Sequence, residues 1–204
     1  MERDIAVKSL RELVGKDLRL LAEKHGVTVW RDGKLNKGWA GHAIERHLGL
    51  PINSAQSPNF GSWELKIVPL KRKANGQLIL KETMAITMID PVNVRDKPFA
   101  ASHLLAKLKK AVVCARIFES TAEESSRLER VAEFDLGDQE IYRAVEHDYE
   151  EVRSQIIQRG FESLSGRMGV LVQPRTKGPG HGSTSRAFYA RKVFVERILG
   201  LNGN

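Results

Sequence analysis

The chain contains a single cysteine, Cys114, so no internal disulfide can form. That thiol sits in the apolar run "AVVCARI" with no base beside it, the setting of a buried core residue rather than a nucleophile. No stretch of about 18 apolar residues occurs, which excludes a membrane-spanning helix. The N-terminal "MERDIAVKSLREL" is charged throughout and lacks the apolar core of a signal peptide. Internal repeats and low-complexity tracts are missing too. These absences describe a cytoplasmic protein. Its 204 residues, 41% of them hydrophobic, suffice for one sizeable core and one domain, with room for two lobes around a cleft.

Negative charge is scarce in two segments and concentrated in a third. Residues 66–116 hold eleven Lys or Arg against three acids, and residues 170–204 hold six against one. Between them, residues 117–151 hold twelve acids against three bases. With a net charge of +8, this segregation points to a polyanionic partner, two basic segments facing nucleic acid and an acidic segment turned away. The plainer reading of the same counts is ordinary charged helix faces.

Leu10, Leu13, Val14, Leu18, Leu21 and Ala22 recur at helical spacing, which predicts one or two short helices broken at Gly15 and ending at Gly26. "RDGKLNKG" reads as a polar turn and "GWAGHAIERHLGL" as a helix closed by Gly49 and Pro51. "WELKIVPL" reads as a strand, "KRKANGQ" as an Asn-Gly turn, and "LILKETMAITMID" as the returning strand. "SHLLAKLKKAV" is a serine-capped helix leading into the strand "VVCARIF". A long amphipathic helix follows, with Ile141, Val145, Tyr149, Val152 and Ile156 on one stripe. "GVLVQP" is a short strand, "RTKGPGHGSTSR" a glycine-rich basic loop, and "AFYARKVFVERILG" a final helix. The sum is an α/β fold around a central mixed β-sheet flanked by helices.

Glu64 and Lys66 lie two apart in the strand, so their side chains leave the same face. Hydrolysing a phosphodiester needs an in-line water, a metal to polarise the phosphate, and relief for the departing oxygen. One or two carboxylates with substrate phosphate satisfy Mg²⁺, and a lysine beside them can orient or deprotonate the water. A first carboxylate is expected in the turn after Pro58, but that position holds Asn59. By itself an acid-x-lysine triplet also fits an exposed strand-face ion pair.

The ordered segments "KGWAGHAIERHLG", "PNFGSWELKIVPL", "SHLLAKLKKAV", "HDYEEVRSQIIQRG" and "RAFYARKVFVERIL" resemble the MutH family of DNA endonucleases, across most of the chain. That family includes a mismatch-repair nicking enzyme and GATC-cutting restriction enzymes, and the MvaI and BcnI restriction enzymes look like a related branch. The resemblance implies a restriction-endonuclease-like PD-(D/E)xK fold with a cleft between two lobes, a metal-site lobe of about residues 1–115 and a DNA-reading lobe of about 116–204. It implies Mg²⁺, with Mn²⁺ or Ca²⁺ as substitutes. Glu64, Asn59 and the backbone carbonyl of Leu65 would be metal ligands, Lys66 the catalytic lysine, Glu45 a helical acid supporting the site, and Lys107 a further lysine near the scissile phosphate.

Asparagine offers one neutral oxygen where aspartate offers a charge, so it weakens Mg²⁺ binding while keeping size and shape. Two origins fit: a chain altered at this position to stop cleavage, and a natural chain with weakened catalysis or another carboxylate in the site. For sequence reading, Arg175 and Lys177 in "QPRTKGPGHGSTSRAFY" are the first choices for base contacts, with His181, Ser183 and Arg186 as further donors. By resemblance, Tyr189 is the methyl-sensing candidate and Lys37 a minor-groove contact. Gln173 stands where the GATC enzymes carry arginine, and "GPGHG" replaces their usual loop, which leans toward the MvaI and BcnI branch. Lys71, Arg72 and Lys73 suit phosphate contacts, or equally a solvated hairpin tip.

The sequence therefore supports a Mg²⁺-dependent, site-specific endonuclease acting on double-stranded DNA, restriction-like and weakened by Asn59. A mismatch-repair nicking enzyme is the alternative. The first would have a cognate DNA methyltransferase as companion, the second would be stimulated by MutL. A non-catalytic DNA-binding module on the same scaffold is a further alternative, and an RNA-binding cleft lacks the aromatic stacking motif it would need.

Overall fold

Glycine breaks two apolar helical turns at the start of the chain, and the computed structural model follows that punctuation. The structure describes residues 1–49, 58, 60–178 and 184–201. Helices α1 (Arg3–Arg11) and α2 (Leu18–Lys24) are separated at Gly15. Asp32 and Gly33, both at positive φ, then close a small hairpin of β1 (Trp30–Arg31) and β2 (Lys34–Leu35) where a bare polar turn is expected. Next come α3 (Trp39–His47), β3 (Glu64–Arg72), β4 (Leu78–Leu80), β5 (Met84–Met88) and α4 (Pro91–Asp96). The second half supplies α5 (His103–Leu108), β6 (Lys110–Ile117), β7 (Leu128–Asp135), α6 (Gln139–Arg159), β8 (Val172–Thr176), β9 (Arg186–Ala190) and α7 (Lys192–Leu199).

The expected mixed central sheet is present as β4-β3-β6-β7, with β3 and β6 parallel and the outer pairs antiparallel. Beside it stands a second, antiparallel sheet of order β5-β9-β8. Alternation along β3 and β6 sorts side chains onto two cores. Leu65, Val112 and Cys114 pack with α1, α2 and α3, while Val68, Leu70, Val113 and Ala115 face α5, α6 and the second sheet. Glu64 and Lys66, in register with Ala111 and Val113, lie on this second face. The turn before β3 is fixed by a Phe60–Trp63 stack, 3.8 Å between ring centroids, and by the Trp63 indole donating to the Met1 carbonyl.

Two expected elements are corrected. The apolar run 78–90 is no single returning strand: only Leu78–Leu80 pairs with β3, and Met84–Met88 joins the other sheet. The polar triplet Lys81-Glu82-Thr83 lets the chain change sheets while Leu80 and Met84 stay in one core. Likewise, Ala187–Ala190, expected to open the final helix, belongs with Arg186 to the middle strand of that sheet, and helix begins only at Lys192. Ala187, Phe188 and Ala190 are buried there between two partners, and such pairing overrides local propensity.

The α6 stripe packs as its spacing demands, and Asp148 lies on the same side at 1% exposure. Its carboxylate accepts the backbone N–H groups of Val170, Leu171 and Val172, each at 2.7 Å, and so fixes the start of β8. Gly169 makes this wrap possible: it holds φ +73°, and a Cβ there would collide with the Val172 carbonyl oxygen. Asp148→Ala leaves these donors without an acceptor and should lower the unfolding free energy by about 2–4 kcal/mol, read by urea denaturation. A loss under about 0.5 kcal/mol, the size of an ordinary surface substitution, would show that β8 is held by other means.

Candidate active site

Strand β3 presents Glu64 and Lys66 side by side, and α5 brings Lys107 to them. Glu64 is 1% exposed, and its Oε1 receives Lys66 Nζ at 2.7 Å and Lys107 Nζ at 3.1 Å. Lys107 reaches inward because α5 buries Leu104 and Leu108 around it, its first turn capped by the Ser102 hydroxyl. Lys66 Nζ has a second acceptor, the Ile86 carbonyl at 3.1 Å. Ile86 sits at a register shift between Ala85 and Thr87 where β5 pairs with β9. Bulges of this kind re-aim backbone groups, and here a carbonyl of one sheet meets a lysine of the other.

One carboxylate between two ammonium groups leaves local positive charge, which suits a phosphate. Burial above all holds the Lys66 amine below its usual range, reinforced by the charges of Lys107 and Lys177 and opposed by Glu64. Burial thus shifts Lys66 toward its amine form relative to a lysine in water, the direction that helps a group take a proton. The oxygen donors at hand, the Glu64 carboxylate and the Leu65 carbonyl, are of the hard type that Mg²⁺ takes, and a substrate phosphate and waters can complete such a set. The site therefore fits a hard divalent ion. Asn59 lies outside the described residues.

Lys66 opens onto a cleft of about 760 Å³ whose walls also include Lys37, Thr83, Arg175, Lys177 and Tyr189, with Glu82 as the acid among them. The structure thus brings Lys37, Lys66, Arg175, Lys177 and Tyr189 together. Tyr189 lies half-buried on the cleft face of β9; burial raises its phenol pKa against the pull of Arg175, so it stays neutral. The Arg175 guanidinium lies 5.9 Å from the centre of that ring and donates to Thr83 Oγ1 at 3.0 Å.

Other expected residues stand elsewhere. Gln173 is in register with Tyr189 but buried at 6% exposure, near Gly166. Arg186 points from β9 to the Phe161 ring and donates to the Glu162 carbonyl. Lys71, Arg72 and Lys73 are exposed on the β3–β4 hairpin, where Arg72 donates to the Gly76 carbonyl and Lys73 to Gln77 Oε1. Glu45 is half-buried on α3, whose apolar side packs in the same core as Leu65. His181 and Ser183 lie outside the described residues.

Thr83 and the Ile86 carbonyl are contributors that sequence reasoning missed; the polar "KET" inside an apolar run was the available signal. Among the described residues His147, Asp148 and Glu151 also cluster. Their carboxylates serve the backbone: Asp148 holds residues 170–172, and Glu151 accepts the Gly169 N–H.

A family model described as "DNA mismatch repair enzyme MutH" matches residues 48–158, more than half of the chain. The DNA mismatch repair protein MutH of Vibrio campbellii is 27% identical over 212 residues, covering 93% of this chain and 89% of that protein. The Shewanella woodyi protein of the same name is 27% identical over 219 residues, covering 96% and 90%. A solved structure, "Restriction endonuclease MvaI-cognate DNA substrate complex", overlaps 89% of this chain and 95% of that one at 13% identity and a TM-score of 0.38.

The depressed Lys66 pKa has a measurable sign. The unfolded chain keeps this proton up to about its ordinary value of 10.5, whereas the folded chain releases it earlier. Within that window the unfolded state binds more protons, so the lysine's contribution to stability grows as pH rises and is lost as pH falls through the folded value. Wild type should therefore gain unfolding free energy relative to Lys66→Met as pH rises toward the lysine's ordinary value of 10.5. A flat or falling difference in paired denaturant titrations would refute the shift.

Proposed function

Since the chain belongs to the MutH family of DNA mismatch repair enzymes, we propose that it is a divalent-metal-dependent endonuclease that hydrolyses a phosphodiester of double-stranded DNA in this cleft. The observation that carries the proposal is the Glu64 carboxylate gripped by Lys66 and Lys107 beside a cleft rich in cations. Glu64, the Leu65 carbonyl and the oxygen of residue 59 would hold Mg²⁺, with Glu45 in support. The bound ion supplies polarisation of the phosphate and charge for the departing oxygen. Lys66 orients the attacking water and takes its proton, the role its depressed pKa favours. Lys107 offsets charge on the phosphate, while Lys37 and Lys177 hold the duplex and Arg175 reads a base edge. Lys71, Arg72 and Lys73 would add sequence-independent affinity.

Strand nicking, with MutL as a stimulating partner, is the finer reading that the names of the relatives favour. With one such site among the described residues, the chain would cut one strand at a time. The restriction reading, with a methyltransferase as companion, rests on the altered loop at "GPGHG", most of which lies outside the described residues.

Supercoiled plasmid distinguishes them. With Mg²⁺, the Asn59→Asp chain should produce open circles roughly 10²-fold faster than the present chain, and adding Lys66→Ala should slow it by about 10²–10⁴-fold. Linear product without open circles would favour restriction. Inactivity of both chains, with Mg²⁺-insensitive binding to DNA, would leave only a binding module.

A further inference from the structure

We propose that Thr83 is a positioning residue for sequence recognition, its hydroxyl fixing the Arg175 guanidinium over Tyr189 so that the free edge of the fork meets a guanine. This rests on the cleft being a DNA-reading site.

The register shows how unusual the contact is. Arg175 on β8 is paired with Ala187 of the middle strand, whereas Tyr189 is paired with Ala85 of β5, two residues beyond Thr83. The arginine therefore runs diagonally across the middle strand, over the tyrosine ring, to reach the far side of the sheet. An exposed arginine without such anchors samples many rotamers and loses that freedom when it binds. Here Nη1 is committed to Thr83 at 3.0 Å, and the ring restrains one face of the guanidinium. Nε and Nη2 remain on the other edge, the donor pair that matches O6 and N7 of guanine. Thr83 touches no base in this arrangement; it acts through Arg175.

Binding without divalent metal tests this apart from catalysis. The probes are a duplex recovered by the wild-type chain from a randomised pool and the unselected pool itself. Thr83→Val, which keeps the shape and removes the hydroxyl, should lower the ratio of selected to unselected affinity by about 2- to 10-fold, and Thr83→Ser should restore it. Arg175→Ala should lower the ratio by about 5- to 150-fold, and Thr83→Val should add nothing in that background. The proposal is overturned if Thr83→Val keeps the wild-type ratio, weakens both probes equally, or still acts without Arg175. If the wild-type chain recovers no preferred duplex, the reading of the cleft as sequence-specific fails and this inference with it.

Discussion

A single buried carboxylate oxygen, Glu64 Oε1, holds two ammonium groups from separate elements, and the geometry of the cleft depends on that junction. A carboxylate at 1% exposure is costly unless paired, and each lysine would be costly there without it. The three charges justify one another only if β3 and α5 are placed as they are. Alternation on β3 chooses the face, and the capped, apolar α5 sets the depth at which Lys107 enters. Such an arrangement is poor as a stability device, since apolar side chains would fill the space more cheaply. Of the three, Lys66 lines the basic cleft, so the junction sets how that side chain meets the cleft.

The rest of the charge distribution serves the same end. The acids of residues 117–151 do not simply face away; many are absorbed by the fold. Glu133 and Asp135 pair with Arg3, and Glu133 also with Arg11. Glu123 pairs with buried Arg116, while Asp148 and Glu151 hold backbone amides. This pairs arginines of α1 and β6 with acids away from the cleft, whose wall holds Lys37, Lys66, Arg175 and Lys177 together with Glu82.

How much of this was written in the sequence varies with the range of the interaction. The helix breaks at Gly15 and Gly26, the Ser102 cap and the α6 stripe are local signals, and they hold. The pairing of Glu64 with Lys66 follows from a period of two, equally local. Strand β9 does not, because "RAFYA" becomes a strand only between β5 and β8, drawn from distant parts of the chain. β7 is charged along its length, "LERVAEFD", and is specified by its ladder to β6 rather than by an apolar pattern. In the site, resemblance alone points to Lys107, since nothing in "KLK" selects its first lysine over its last. Burial does select it, at 7% exposure beside Leu108.

β5 is where the cleft arginine and the buried lysine site meet. Its polar lead-in supplies Thr83 to Arg175, and three residues later the bulge turns the Ile86 carbonyl to Lys66. A regular strand would have kept Ile86 in the ladder with β9 and left the lysine with Glu64 alone from this side. The irregularity thus joins the two sheets at the site: the residue before β5 accepts from Arg175, and the backbone of β5 accepts from Lys66. Arg175 and Lys66, from separate elements, lean on the same four residues, Thr83 to Ile86.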